Sequence, residues 1–376
     1  MKLTETRDPN ALTALRDEWD ALVGRTERAT IYQTWEWNDA WWQAFGHGKR
    51  LRLILVHDGP DLIGIAPFYS SRHLGTPLRR IAFLGTGASD YLDIIAARER
   101  EADVCGEVCR RLASLRDYDL ADLQQLGPES PLSAHLRARP VAGLNGHRVA
   151  VRHIETCPYV ELPMTWELFL KSLGKKMRSN VSYYERLASR DLADASTTLS
   201  AGGDLPEAIE ALFRLHQRRW RSRMLPGVMG SSTVRRFHRD VADRFRSRGW
   251  LRLHLTRVGG QIVAALYCFR FRSRYYYYLG GFEPSLGKYS LGTVLTASAI
   301  RQAIEEGCDE FDFLRGHEAY KYRWKPRERE NAQCLIAQPS GWRSDAMLAL
   351  NRLERYIEEK AKAYSDGAGR RKGAVR

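Results

Sequence analysis

A stretch of the chain occurs twice. Leu51, Arg52, Leu53, Leu55, Gly59 and Ile63 are matched 200 positions later, without a gap, by Leu251, Arg252, Leu253, Leu255, Gly259 and Val263. Around Asp58-Gly59-Pro60-Asp61 the first copy reads as two apolar strands joined by a tight turn. The parallel continues beyond the hairpin. Leu84-Gly85 and Gly87 echo Leu279, Gly280 and Gly281. Helical stretches follow in each half, 102–115 and 292–306, and each leads into a short strand holding an acid, Leu120-Ala121-Asp122-Leu123 and Phe311-Asp312-Phe313-Leu314. Hydrophobic hairpins are common, but one order of hairpin, loop, helix and strand met twice predicts an internal duplication.

The second copy is the more informative. Tyr275–Leu279 is an aromatic strand that breaks at Gly280-Gly281, and a loop with Gly287 and Gly292 follows. Thr293, Val294, Leu295, Ala297, Ala299, Ile300, Ala303 and Ile304 then give a helix closed by Gly307. A strand, a glycine-bearing loop and a helix start form an anion site, because unpaired N–H groups and the helix dipole point at the loop. The loop is neither GxxxxGK[ST] nor a clean GxGxxG, which argues against nucleotide hydrolysis and a dinucleotide fold. Alternation turns Asp312 away from Phe311 and Phe313. There it serves as a base with a raised pKa, or pairs with Arg315 or Lys321 to hold the strand end. Arg315, Glu318, Tyr320 and Lys321 form a polar rim just beyond.

Tyr289-Ser290-Leu291-Gly292, Phe311-Asp312-Phe313-Leu314-Arg315-Gly316, Glu318, Tyr320-Lys321 and Trp324, in this order, resemble the GNAT-type acyltransferases of the BioF2-like/CelD-like group, which are similar in turn to the Fem peptidyltransferases. The resemblance spans roughly Trp35 to Ala337 and is sharp only in this stretch. It implies tandem GNAT-like domains of the α/β (α+β) class, each a mixed, mostly antiparallel sheet flanked by helices. The expected bounds are 1–164 for the first domain, 165–200 for a basic helical connector, 201–340 for the acyltransferase domain and 341–376 for a C-terminal helix and basic tail. It implies transfer of an acyl group from CoA, or from an acyl-carrier-protein thioester, to an amine ahead of a hydroxyl. Small-molecule, glycan and peptide acceptors all fit, with cell-envelope or polysaccharide metabolism as the setting. The alternatives are a Fem-like transferase using aminoacyl-tRNA and a non-catalytic binding protein on the same fold.

The resemblance also implies roles. Gly287, Lys288, Tyr289, Ser290 and Gly292 lie in the segment that would hold a CoA pyrophosphate, or they only shape a strand-to-helix turn. Asp312, Lys321, Glu318 and Tyr320 are the catalytic candidates, with Lys321 steadying an oxyanion or bridging to Asp312 or Glu318. Lys176, Arg178, His216, Trp220 and Arg315 are the substrate-binding candidates. Lys175-Lys176-Met177-Arg178 is either a solvated face or a phosphate contact. His216, in His216-Gln217-Arg218-Arg219-Trp220, is a base or a packed histidine.

Composition narrows the rest. A net charge of +14 and a pI near 9.6 favour an acidic partner: a phosphate-bearing cofactor, anionic lipid, polysaccharide or nucleic acid such as tRNA. No zinc-finger, helix-turn-helix or RNP signature is present, and no nucleophile elbow or triad signature either. Thioester aminolysis needs neither a protein nucleophile nor a metal. The six cysteines form no CxxC pattern and read as free thiols of a cytoplasmic protein, with Cys105 and Cys109 on one core-facing helix side. No apolar run approaches the roughly 20 residues that span a bilayer. Asp8–Val23, Ile31–Phe45, Thr165–Asp191, Leu205–Arg223, Thr233–Arg246 and Trp342–Tyr364 read as helices, Leu225–Gly230 as a flexible loop, and Gly367–Arg376 as disordered.

Overall fold

The computed structural model describes residues 1–138, 141–192, 194–200, 203–221 and 227–373. Contacts divide the chain into two compact units. The first comprises Met1–Trp42, Gly46–Ile154 and Asn331–Arg376; the second comprises Gln43–Phe45 and Glu155–Glu330. The segment expected as a connector, 165–200, thus lies within the second unit.

In chain order the elements are β1 (Lys2–Thr6), α1 (Asn10–Ala14), α2 (Arg16–Arg25), α3 (Trp35–Phe45), β2 (Arg50–Asp58), β3 (Asp61–Arg72), β4 (Arg79–Phe83), β5 (Ile95–Ala96), α4 (Glu101–Ser114), β6 (Leu120–Leu126), α5 (Pro131–Arg137) and β7 (Arg148–Glu161). Then follow α6 (Trp166–Ser172), α7 (Lys175–Asp191), β8 (Ser196–Leu199), α8 (Leu205–Arg221), α9 (Ser232–Ser247), β9 (Leu251–Val258), β10 (Gln261–Phe271), β11 (Arg274–Phe282), α10 (Leu291–Glu305), β12 (Glu310–Asp312), α11 (Ala319–Tyr322), β13 (Arg327–Ala337) and α12 (Trp342–Gly373).

The units repeat one topology. In the first, β1 pairs antiparallel with β2, β2 with β3, β3 with β4, and β4 parallel with β6. In the second, β8 pairs antiparallel with β9, β9 with β10, β10 with β11, and β11 parallel with β12. The parallel pairs need crossovers, and α4 and α10 supply them. The sequence echo is therefore the trace of a whole repeated fold, a mixed and mostly antiparallel sheet flanked by helices.

The last strand of each unit comes from elsewhere in the chain. The expected first domain, 1–164, takes in Tyr159, Val160 and Leu162. In the structure Tyr159 pairs with Asp312, and Val160 with Phe311, in the second unit. Reciprocally, Ala332–Ala337 of β13 pairs with β6 in the first unit. Each repeat thus gains its antiparallel neighbour strand from the chain that follows the other repeat.

Several helices differ from expectation in detail. Asp8–Val23 divides at Leu15 into α1 and α2. Thr165–Asp191 divides at Leu173-Gly174, with Gly174 preceding α7 in extended conformation. Thr165 caps α6, accepting from the Leu168 N–H, yet Leu168 is exposed while Phe169 and Leu173 are buried. Leu225–Gly230 lies partly outside the described residues, and Val228–Gly230 is a 3₁₀ turn. The last helix runs to Gly373 rather than ending at Tyr364, since propagating a nucleated helix costs little per residue. All six cysteines are free and buried, and Trp37 and Trp41 are core residues.

Gly280 and Gly281 do not break β11, which continues to Phe282. Gly281 is required because α8 lies directly on it. A Cβ there would clash with the His216 backbone nitrogen and sit 2.7 Å from the Leu215 carbonyl carbon and 2.9 Å from the His216 Cα. Helix backbone cannot yield as a flexible side chain does. Gly281→Ala is therefore expected to lower stability by about 2 kcal/mol, measured by urea denaturation; an unchanged midpoint would show that α8 shifts freely.

Candidate active site

The site is built from the second repeat. Tyr275, Tyr277, Phe311 and Phe313 point into an apolar core with α7 and α10 residues. The alternate residues Arg274, Tyr276, Glu310 and Asp312 occupy the other sheet face in register, Arg274 against Glu310 and Tyr276 against Asp312. Pairing of β11 with β12 stops there, while β11 runs on to Phe282 alongside β10. Beyond Tyr276, among the described residues, β11 has a strand neighbour on one side only, and so presents an edge.

That edge leads into the loop before α10. Pro284–Tyr289 forms a 3₁₀ turn, and Ser290 takes a left-handed conformation, φ 47°, before α10 begins. Gly292 thus belongs to the first helical turn. A Cβ on Gly287 would meet nothing within 4 Å, and one on Gly292 would reach only the Phe282 ring at 3.4 Å. The Ser290 hydroxyl lies 3.0 Å from that of Thr293. Lys288 is exposed, its ammonium over the Tyr289 ring, whereas Tyr289 is a core residue. The first turn of α10 carries no acid, so nothing local offsets its dipole.

The equivalent region of the first repeat is filled instead. Ser89, Asp90, Tyr91 and Leu92 are buried, and the Trp37 indole donates to the Ser89 hydroxyl at 2.7 Å. A Cβ on Gly85 would meet that hydroxyl at 2.5 Å. Its crossover helix, α4, opens with Glu101 and Asp103, which repel an anion.

At the end of β12 the chain turns sharply. Leu314 is left-handed, φ 58°, although buried; a non-glycine residue held there stores about 1 kcal/mol or more. Two groups hold the turn. Asp312 Oδ1 accepts from the Leu314 N–H at 2.7 Å. Lys321, 3% exposed, donates to the carbonyls of Leu314 at 3.1 Å and Arg315 at 2.7 Å, and bridges to Glu318 at 2.9 Å. These occupy the three donors of an ammonium. Lys321 does not bridge to Asp312, whose Oδ2 is buried without a hydrogen-bond partner. Burial, and next the Asp312 charge, push the Glu310 carboxyl up, against the pull of Arg329. Tyr320 packs on Tyr277 with ring centroids 6.0 Å apart. Burial, then Tyr277, raise its phenol well above the ordinary range.

α8 closes the far end of β11. Arg218 pairs with Glu283 at 2.7 Å, and the Arg219 guanidinium lies over the Phe282 ring. The Trp220 indole donates to His216 Nε2 at 2.8 Å, so the neutral ring carries its proton on Nδ1. Burial, then Arg219, lower the His216 pKa to about 4. The ring therefore offers a donor rather than a base. Lys176 and Arg178 are exposed in the first turn of α7. The other end of α7 is the one near Lys288, through Asp191. Some 15 residues of helix separate the two ends, roughly 22 Å, so these cations do not join the Gly287–Gly292 segment. They lie instead toward Lys325, whose ammonium reaches the Ser172 carbonyl at 2.9 Å. Arg315 sits in the Lys321 turn, half-buried. Sequence reasoning missed Gly281 as a packing site and Tyr277 as the partner of Tyr320; the run of four tyrosines was the available signal.

Residues 175–322 match the family model for an acetyltransferase (GNAT) domain, and the second unit has that fold. Among solved structures, FemX superposes with a TM-score of 0.61 at 12% identity, covering 89% of this chain and 97% of its own. L-PGS from Bacillus licheniformis gives 0.55 at 13%, covering 94% and 99%. The C-terminal domain of a putative lysylphosphatidylglycerol synthetase from Agrobacterium fabrum gives 0.54 at 13%, covering 90% and 95%. No curated protein matches the chain. Among the described residues no group of three or more His, Cys, Asp or Glu could hold a metal ion, and no helix is long and apolar enough to cross a membrane.

Proposed function

We propose that the second unit transfers an acyl group from a CoA thioester to an amine. The observation that carries this reading is the single-sided edge of β11 running into an acid-free helix start. An extended, amide-bearing arm can pair with a strand edge, and a pyrophosphate suits the N–H groups of Leu291 and Gly292. Ser290 and Lys288 add polar and charged contacts, and Gly287 leaves the backbone open.

In the reaction the amine nitrogen attacks the thioester carbonyl, the C–N bond forms, a proton leaves the nitrogen, and the C–S bond breaks to release the thiol. Asp312 is the proposed proton acceptor, since its Oδ1 is fixed and its buried Oδ2 has no hydrogen-bond partner. Tyr320 packs with Tyr277 in the core on the sheet face opposite Asp312 and takes no part in that transfer, and the departing thiolate takes its proton from water. Lys321 and Glu318 keep the turn in place. His216, Trp220 and Arg315 are assigned to the acceptor side. With acetyl-CoA and a panel of amines, thiol release is the assay. Asp312→Asn is expected to slow it about a hundredfold with little change in KM for CoA; a near-normal rate would remove Asp312 from the mechanism.

A second reading rests on α7. Lys175, Lys176, Tyr183, Arg186 and Arg190 are all exposed and recur at helical spacing. A basic helix face with an aromatic suits a polyphosphate chain or an acidic carrier. Steeply salt-dependent tRNA binding without CoA binding would move the donor to an aminoacyl-tRNA. Binding only of a loaded carrier protein would move it there.

A further inference from the structure

The helix α12 has two apolar faces. Its inward face seats Ser344, Met347 and Asn351, all buried in the first unit. Met347 packs with Leu78, Leu120 and Leu335, and the Asn351 amide donates to Asp122 at 3.2 Å. Its outward face is apolar as well. Trp342, Leu353, Tyr356 and Ile357 are 68%, 53%, 57% and 57% exposed. Trp342, Ala349, Leu353, Tyr356 and Lys360 recur at the spacing of one helix side, and all are exposed. Four large apolar side chains on one such face exceed what scattered surface residues explain.

From Trp342 to Lys360 the sequence balances four Arg or Lys against four Asp or Glu, and the cationic excess lies in the residues that follow, five against one. Arg352 is exposed, and Lys360 stands over the Tyr356 ring at 5.3 Å. Of the nearby acids, Asp345 is taken by Arg148 at 2.5 Å and Glu354 lies 3.3 Å from His73; Glu358 is exposed. From Arg352 to Arg376 the sequence carries eight Arg or Lys against four Asp or Glu. We propose that α12 docks the protein on an anionic lipid surface, lying in the plane of the interface. Trp and Tyr favour the headgroup level, Leu353 and Ile357 enter the acyl boundary, and Arg352 and Lys360 meet the lipid charge. A second copy of the chain is disfavoured as occupant, because it would set Lys360 and Arg352 of two helices beside each other.

The test is co-sedimentation of the full chain with vesicles of phosphatidylcholine alone or with about 30% phosphatidylglycerol. The expected result is pelleting with the anionic vesicles only, weakened by high salt and reduced roughly tenfold or more in Leu353→Glu/Ile357→Glu. Both positions are exposed, and an unchanged thermal melt confirms that the variant folds. Absence of pelleting with anionic vesicles overturns the proposal, as does undiminished pelleting of the variant. A wild-type dimer in size-exclusion chromatography that the variant breaks also overturns it, and assigns the stripe to a second copy. None of these outcomes depends on CoA binding.

Discussion

Lys321→Met is expected to lower stability by about 3 kcal/mol, with a loss of turnover that follows from the loosened turn. The ammonium is buried and satisfies the Leu314 and Arg315 carbonyls while bridging to Glu318. Hydrogen bonds from a charged donor contribute roughly 1.5–3 kcal/mol each. Methionine fills the volume but leaves the buried Leu314 carbonyl without a partner. The left-handed Leu314 then has less to hold it, and Asp312 loses the fixed N–H that orients its carboxylate. Had Lys321 served as an oxyanion contact, turnover would fall about a hundredfold with stability little changed. Urea denaturation and thiol release on one preparation separate the two: a normal midpoint with lost turnover contradicts the turn-holding role.

The second large effect is in the first unit. Burial raises the Asp93 carboxyl to about 7, against the pull of Ser130 and the Ile94 N–H. A carboxyl with a raised folded-state pKa favours folding below the unfolded pKa of 3.8, and that contribution is lost as pH rises through about 7. The shift corresponds to about 4 kcal/mol. Asp93→Asn keeps an acceptor for the Ile94 N–H, 2.8 Å away in the parent, and has no proton to lose. Relative to the parent, the variant is expected to gain that amount between pH 4 and pH 8. Urea denaturation at both pH values gives the difference, in which other titrating groups cancel. Parallel pH profiles for the two proteins would contradict a buried, proton-holding Asp93.

The repeat was legible because period-2 hairpins and crossover helices leave local patterns. Leu51–Ile63 and Leu251–Val263 announce their own pairing, and Asp312 is turned from Phe311 and Phe313 by alternation alone. The exchange of last strands was not legible. Tyr159 and Val160 read as strand in any context, and their placement in the second unit follows from pairing with Asp312 and Phe311, about 150 residues away in sequence. Nor could the sequence choose a partner for Lys321. Glu318 lies three residues before it and Asp312 nine, both within reach of a long side chain, and the answer depended on the chain turning left-handed at Leu314. Gly281 looked like a strand break because its neighbour α8 is distant in sequence. The break at Leu173-Gly174 was hidden by the helical periodicity continuing on both sides. The charge of Lys176 and Arg178 was plain, but not which end of α7 would approach Lys288.

The proposed reaction requires one donor site, at the start of α10. Calorimetric titration of the full chain with CoA tests it most directly, alongside Gly292→Val with folding checked by circular dichroism. The filled loop at Ser89–Leu92 and the acids at Glu101 and Asp103 bar the first repeat. The expected result is therefore one CoA per chain, with affinity reduced roughly tenfold or more in Gly292→Val, whose branched side chain presses on Phe282 and crowds the helix start. Two sites per chain, no binding, or binding that Gly292→Val leaves unchanged would contradict it.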